Sequence, residues 1–296
     1  LSPTKNVSAV SGELASSLLI SRMLRTRVIT ALVLVALLLP ALFYLPQSYW
    51  ALAVAAFIGV GAWEWGALLG WRNSSRLILG VATALICATL SWLDPEAIGA
   101  VSVVTPAKWG VLLIYGIAAG FWCLLVPLWL QKKWAIVGLG GLLVGAVVLI
   151  PTWLAMVQLR ILGPGALLGI FAVVWMADVA AYFSGKAFGK HKLAPSISPG
   201  KTWEGAIGAG LGVIIYGLVL RQVFTIELMP IALWVIALLA VAAVSIIGDL
   251  YESLLKRKAG IKDSSNILPG HGGVLDRIDS LTSTLPVVAL VWLLVV

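Results

Sequence analysis

Long apolar runs alternate with short polar stretches through most of this 296-residue chain. A hydrocarbon core about 30 Å thick needs roughly 20 mostly apolar residues as helix. Nine runs approach that length: Val28–Leu45, Tyr49–Leu69, Leu77–Leu93, Trp109–Leu130, Trp134–Met156, Ala166–Phe183, Gly205–Leu220, Pro230–Ile247 and Leu281–Val296. Pro151 interrupts the fifth, and the last is short. The predicted fold is an all-α, polytopic integral membrane helix bundle of about nine transmembrane helices. No internal repeat, heptad or soluble linker breaks the pattern.

Composition agrees. Hydrophobic residues make up 61% of the chain and charged residues 11%, where a soluble domain carries about 25% charged residues. Mean hydropathy is +1.07. The net charge of +8 sits in connections between apolar runs and forms no basic stripe interleaved with stacking aromatics. Nucleic acid is therefore not an expected partner. Basic loops beside apolar spans set topology first and attract anionic headgroups or nucleotide phosphates second. With the N-terminus in the cytoplasm, only Lys108, Arg160 and Arg221 of the 20 basic residues fall outside. Tyr49, Trp50, Trp71, Trp109 and Trp134 lie near span ends, as interfacial anchors do.

Cys87 and Cys123 both lie in apolar runs, with no CxxC motif, and read as small buried apolar residues. With His191 and His271 as the only histidines, a zinc site is not expected. Met23 reads as a natural start, followed by an uncleaved first span. The organisation expected is then an N-terminal extension over 1–22, disordered or added; N-terminal transmembrane helices over 23–164; and a C-terminal catalytic membrane domain over 165–296.

Two inside segments, 184–204 and 248–280, are long and mix Gly, Pro, His, Asp and Lys. Long polar loops in a compact protein are usually functional or disordered. In the second, Asp249 follows a span and a short amphipathic helix over Leu250–Lys258 is expected, with Leu254 and Leu255 facing lipid or protein. Lys256, Arg257 and Lys258 form a cationic cluster, and Lys262 and Asp263 a charge pair. The Pro269-Gly270-His271-Gly272-Gly273 loop allows close backbone approach to a ligand, and its amides can cradle phosphate. Asp276 and Asp279 follow at i,i+3. If the last helix begins near Leu275, both carboxylates share a face. Together with Asp249 they are the kind of oxygen set that holds Mg²⁺ against phosphates. In the first segment, Lys201 between Gly200 and Thr202, ahead of a span, is a weak phosphate-clamp signal. It is not a Walker A loop. Asp178 and Glu64 are ionisable groups inside apolar spans, functional candidates by default. Asp178 lies near the inside end of its span with Tyr182 one turn on. Glu64 stays open between a functional and a structural role.

The residues from Ser253 to Asp279 resemble a family motif throughout: Ser253, Lys256-Arg257, Lys262-Asp263, Pro269, His271-Gly272-Gly273 and Asp276-Arg277-Ile278-Asp279. The stretch is similar to the phosphatidate cytidylyltransferase (CDP-diacylglycerol synthase) family. Ser198-Pro199, then Lys201 to Gly205, and Asp178 with Ala181-Tyr182-Phe183, extend the resemblance over Trp175 to Asp279. The resemblance implies that CTP and phosphatidic acid give CDP-diacylglycerol and pyrophosphate, with Mg²⁺ as cofactor and room for a second cation such as K⁺. It implies Asp249, Asp276 and Asp279 as metal-holding acids, and Lys201, Lys256, Arg257 and Lys262 as phosphate binders. Ser198 and His271 orient substrate oxygens. Thr202, Asp263, Gly272, Gly273, Arg277 and Asp178 also lie around the substrates. It further implies a homodimer in the cytoplasmic (inner) membrane, with the site facing the cytoplasm. Two other readings stay open: a membrane transferase using another lipid or activated headgroup, and an ion-coupled transporter using Asp178 and Glu64.

Overall fold

The computed structural model describes residues 4–100, 109–224 and 229–295, with side chains described from residue 24 onward. Lys108 and Val296, used in the topology reading above, lie outside the described residues. The helices are α1 (Thr4–Tyr44), α2 (Gln47–Leu68), α3 (Asn73–Leu93), α4 (Trp109–Gly120), α5 (Val126–Lys132), α6 (Gly138–Leu159), α7 (Pro164–Phe188), α8 (Trp203–Val223), α9 (Ile231–Lys258) and α10 (Leu275–Val295). A π-turn over Phe121–Leu125 joins α4 to α5. Pro127 has no amide to give to the carbonyl one turn back, so the helix widens there instead of holding its ladder. Among the described residues nine helical stretches are long and apolar enough to cross a membrane.

The centre of the bundle is α2, α6 and α10, with 61%, 67% and 50% of their most apolar windows buried, against 6% for α1. Leu32 and Leu37 of α1 are 63% and 66% exposed. Such apolar exposure is stable only in lipid. Polar contacts fix which helix ends meet. Arg160 donates to the carbonyls of Leu42 and Leu45 and to Gln47 Oε1, and Gln47 Nε2 donates to Val157 O at 2.8 Å. At the opposite end Thr30 Oγ1 donates to Pro269 O at 2.9 Å and Ser265 Oγ to Glu64 at 2.6 Å.

The pair that positions the site, α7 and α8, is packed through small residues. A methyl group on Gly212 would sit 2.5 Å from Ala180 Cβ, and one on Gly208 would overlap Ser184 Oγ. Small side chains are how helices approach closely in a bilayer, where no hydrophobic force draws them together.

Several expectations are corrected. Between α7 and α8 the chain forms a small antiparallel hairpin, β1 (Lys192–Ala194) and β2 (Ser198–Thr202), rather than an irregular loop. The amphipathic helix expected over Leu250–Lys258 is the last part of α9, unbroken at Gly248. Leu254 and Leu255 are buried in the protein, and that burial carries the helix on. Helix α1 itself runs back to Thr4, ahead of Met23. From Thr4 to Arg22 the chain holds good helix formers such as Ala9, Glu13 and Leu14 and no proline. Trp50 is no interfacial anchor: it is buried, with Nε1 on Met156 O at 3.1 Å. Cys123 is exposed on the outer surface of the bundle, whereas Cys87 is buried.

Candidate active site

A cleft of about 440 Å³ lies between α7, the hairpin, α8 and α9. Ala177, Ala181 and Ala206 give it a small apolar wall, and Asp178, Tyr182, Lys186, Ser198, Lys201, Thr202 and Asp249 supply polar groups. The hairpin is pinned at its base. Glu204 accepts from the His191 amide at 3.2 Å and lies 2.7 Å from His191 Nδ1. The Trp203 amide donates to His191 O at 2.9 Å. At its tip Ile197 is buried and its amide closes the turn onto Ala194 O at 3.1 Å. Thr202 ends β2 and caps α8, its Oγ1 accepting from the Gly205 amide at 3.1 Å. That use is the ordinary one for threonine at this position.

Lys201, carried by β2, places Nζ 2.6 Å from Asp249 Oδ2 of α9. Ser253, one turn further along α9, donates to Asp249 Oδ1 at 3.3 Å. Asp178, Asp249 and Asp279 are near enough to repel one another, and the charges of Lys201 and Arg277 offset this at Asp178. Three helices thus bring acids to one place, and the hairpin brings a cation.

Beside the cleft, the loop between α9 and α10 is closed and heavily bonded. Gly270 and Gly272 take φ of +76° and +81°, a region that favours glycine. The turn is held by Leu268 N to Gly272 O at 2.9 Å and His271 N to Leu268 O at 2.8 Å. Asp276 faces into this loop. Its Oδ2 accepts from Gly273 N at 2.8 Å, Ser264 N at 2.9 Å and Ser264 Oγ at 3.0 Å. Its Oδ1 meets Lys256 Nζ at 2.6 Å. The α10 helix does begin at Leu275. Glu64 also enters here. It is fully buried and accepts from Ser264 Oγ, Ser265 Oγ, Val274 N and Leu275 N. Both Glu64 oxygens are taken up by hydroxyl and backbone amide donors, whereas Asp276 Oδ1 meets only an ammonium that another cation can replace, so the transporter reading loses one of its two acids.

The residues singled out from the sequence therefore fall into three places. Asp178, Ser198, Lys201, Thr202 and Asp249 line the cleft, with Asp279 within electrostatic reach. Lys256, Gly273 and Asp276 belong to the closed loop, with Gly272 and Asp263 packed beside each other. Arg257, Lys262, Asp263 and Arg277 are exposed. Asp249 and Asp276 each hold a lysine of their own, and Asp178 and Asp279 are the acids that interact with Asp249. His271 presents a buried Nδ1 with no hydrogen-bond partner among the described residues.

One acid escaped the sequence reading. Glu252 of α9 is buried beside Asp279 and Asp276. Its oxygens make no hydrogen bond among the described residues, and Lys256 Nζ lies 3.5 Å from Oε1. A signal was available: Asp249 and Glu252 repeat the i,i+3 spacing of Asp276 and Asp279. Among the described residues no three such side chains converge on a finished metal position. The donor chemistry nevertheless fits a hard cation. Several carboxylates face one region, two of them carry ammonium groups, and Glu252 has oxygens without a donor.

Residues 25–295 match the family described as the Cytidylyltransferase family. The chain belongs to it. It is thus a nucleotidyl-transferring enzyme, built on helices long and apolar enough to cross a membrane. It is 40% identical over 257 residues to the phosphatidate cytidylyltransferase of Pseudomonas aeruginosa, covering 84% of this chain and 90% of that protein. It is 38% identical over 262 residues to the phosphatidate cytidylyltransferase of Haemophilus influenzae, covering 83% and 90%. A shorter match, 49% identical over 116 residues and covering 38% of this chain and 42% of the relative, is to the phosphatidate cytidylyltransferase of Brucella suis biovar 1.

Proposed function

We propose that the chain transfers the cytidylyl group of CTP to phosphatidate, giving CDP-diacylglycerol and pyrophosphate. The observation that carries this reading is the Lys201–Asp249 pair, set in a cleft walled by small apolar residues and backed by buried carboxylates. The names of the two relatives that span most of the chain support it.

A phosphatidate phosphate oxygen attacks the α-phosphorus of CTP. A new P–O–P linkage forms, the bond from the α-phosphorus to the bridging oxygen breaks, and that electron pair leaves with pyrophosphate. The attacking phosphate is already anionic, so positioning and charge stabilisation matter more than a strong base. Lys201 and Lys256, now on Asp249 and Asp276, move to the phosphates, joined by Arg257 and Lys262. Ser198 and His271 orient substrate oxygens. Asp249, Asp276 and Asp279 would hold Mg²⁺, with Glu252 beside them for a second cation such as K⁺. Bound there, a divalent ion supplies neutralisation of the charge that grows on the departing phosphates. Ala177, Ala181 and Ala206 leave room for the glycerol and the first acyl carbons, so the tails stay in lipid.

Pyrophosphate release in detergent, with phosphatidate and each nucleoside triphosphate in turn, with and without Mg²⁺, tests this. Release is expected with CTP and Mg²⁺; no release with any nucleotide would sink it. The proposal includes a cytoplasmic N-terminus and a site facing the cytoplasm of the inner membrane, supported by the skew of basic residues. Ile267→Cys should react with an impermeant maleimide in inside-out vesicles and not in right-side-out ones. It also includes a homodimer, which light scattering of the detergent complex would check.

A further inference from the structure

We infer that Glu64 is a positioning residue: a buried carboxylate from α2 that fixes the loop bearing His271 and Asp276. Each Glu64 oxygen takes one hydroxyl and one backbone amide. Oε1 accepts from Ser265 Oγ at 2.6 Å and Val274 N at 2.9 Å; Oε2 accepts from Ser264 Oγ at 3.0 Å and Leu275 N at 2.7 Å. The amides at a helix start have no partner within the helix. Here three successive ones are held by carboxylates, Gly273 N by Asp276 and the next two by Glu64. The helix dipole adds to the attraction. A cap usually comes from the residue just ahead of its own helix. This one comes from about two hundred residues upstream, so it also ties α2 to the loop.

The tie reaches the reacting region. Ser264 Oγ lies 3.0 Å from both Glu64 Oε2 and Asp276 Oδ2, and its single proton is shared between them. Asp276 holds Lys256 in turn. The path from Glu64 to the proposed phosphate-binding ammonium is thus Glu64, Ser264, Asp276, Lys256. Gly273 is fitted to the same clamp: a methyl group there would overlap Ser264 Oγ and Glu64 Oε1.

Glu64→Gln tests the idea. One oxygen becomes an NH₂ group. The serine facing it can turn and accept, but the backbone amide cannot, so one amide at the start of α10 loses its partner. With loop placement relaxed, kcat per folded enzyme is expected to fall about 10- to 100-fold. Hydrogen exchange should quicken in a peptide spanning 264–275 and stay unchanged in the middle of α2. A role in stability alone would lower the folded fraction and leave the kcat and KM of the remainder at wild-type values; that result, or unchanged exchange, overturns the inference. If Glu64→Gln does not fold, Ser265→Ala decides, because it removes one donor and leaves the carboxylate. Slower turnover with quicker exchange in the same peptide supports the clamp, and wild-type behaviour overturns it. The kinetic arm rests on the proposed reaction. Wild-type enzyme in the same assay tests that reaction separately, and exchange tests the clamp without substrate.

Discussion

The cleft and the neighbouring loop use the same residue types in opposite ways. In the cleft the Lys201–Asp249 pair is partly solvent-exposed, with 23% and 30% of the two side chains accessible, and among the described residues its one other direct bond is to Ser253. In the loop Asp276 and Lys256 are paired at the same 2.6 Å separation with only 4% and 14% accessible, and three further donors crowd the carboxylate. An exposed pair contributes little to stability and is free to exchange partners. A buried one is costly to break from one side. The difference teaches that two ion pairs of equal length can be held loosely or tightly, and that distance alone does not say how readily a pair opens.

The largest effect should come from the cleft. Asp249→Asn is expected to lower turnover by at least about 10³-fold. Its melting temperature in detergent should stay near wild type, because a half-open ion pair contributes only about 0–1 kcal/mol. A large loss of melting temperature would erase the contrast between the two regions. Next comes Asp276→Asn. Asn can keep an oxygen on the three donors only by turning its NH₂ group against Lys256. Thermal unfolding should show a loss of about 3–5 kcal/mol, together with lost turnover. A wild-type melting curve would mean that the loop is less tightly held than its hydrogen bonds indicate. Gly212→Val should push α7 from α8 and cost about 1–3 kcal/mol, read as a lower melting temperature and a higher KM for lipid in mixed micelles. Lys262→Ala should be the mildest. It is exposed, so stability should change by less than about 0.5 kcal/mol, and only the KM for CTP should rise, by a few-fold in a substrate titration.

The nine spans were legible because a bilayer imposes one length and one polarity on each. The start of α10 at Leu275 was legible too, from two aspartates spaced for one face. What escaped was tertiary. Nothing in Trp63-Glu64-Trp65 announces that its carboxylate meets Val274 and Leu275, since a cap supplied from another helix leaves no local pattern. The hairpin escaped because its strands are short and contain Pro199 and Gly200, which read as loop. The unbroken course of α9 escaped because polar residues after Gly248 look like an exit from the membrane, while Tyr251, Leu254 and Leu255 are covered by protein, not by water.

Helix α9 has 28 residues, so it is about 42 Å long, more than a hydrocarbon layer of about 30 Å requires. The surplus works as a mast. With the apolar stretch from Ile231 to Ile247 laid across the hydrocarbon layer, Asp249 falls near headgroup height, and Lys256 lies about 10 Å further along the same rod. A reactant confined to the leaflet and a reactant confined to water can then be gripped at fixed altitudes by a single stiff body, with no domain closure needed to bring them level.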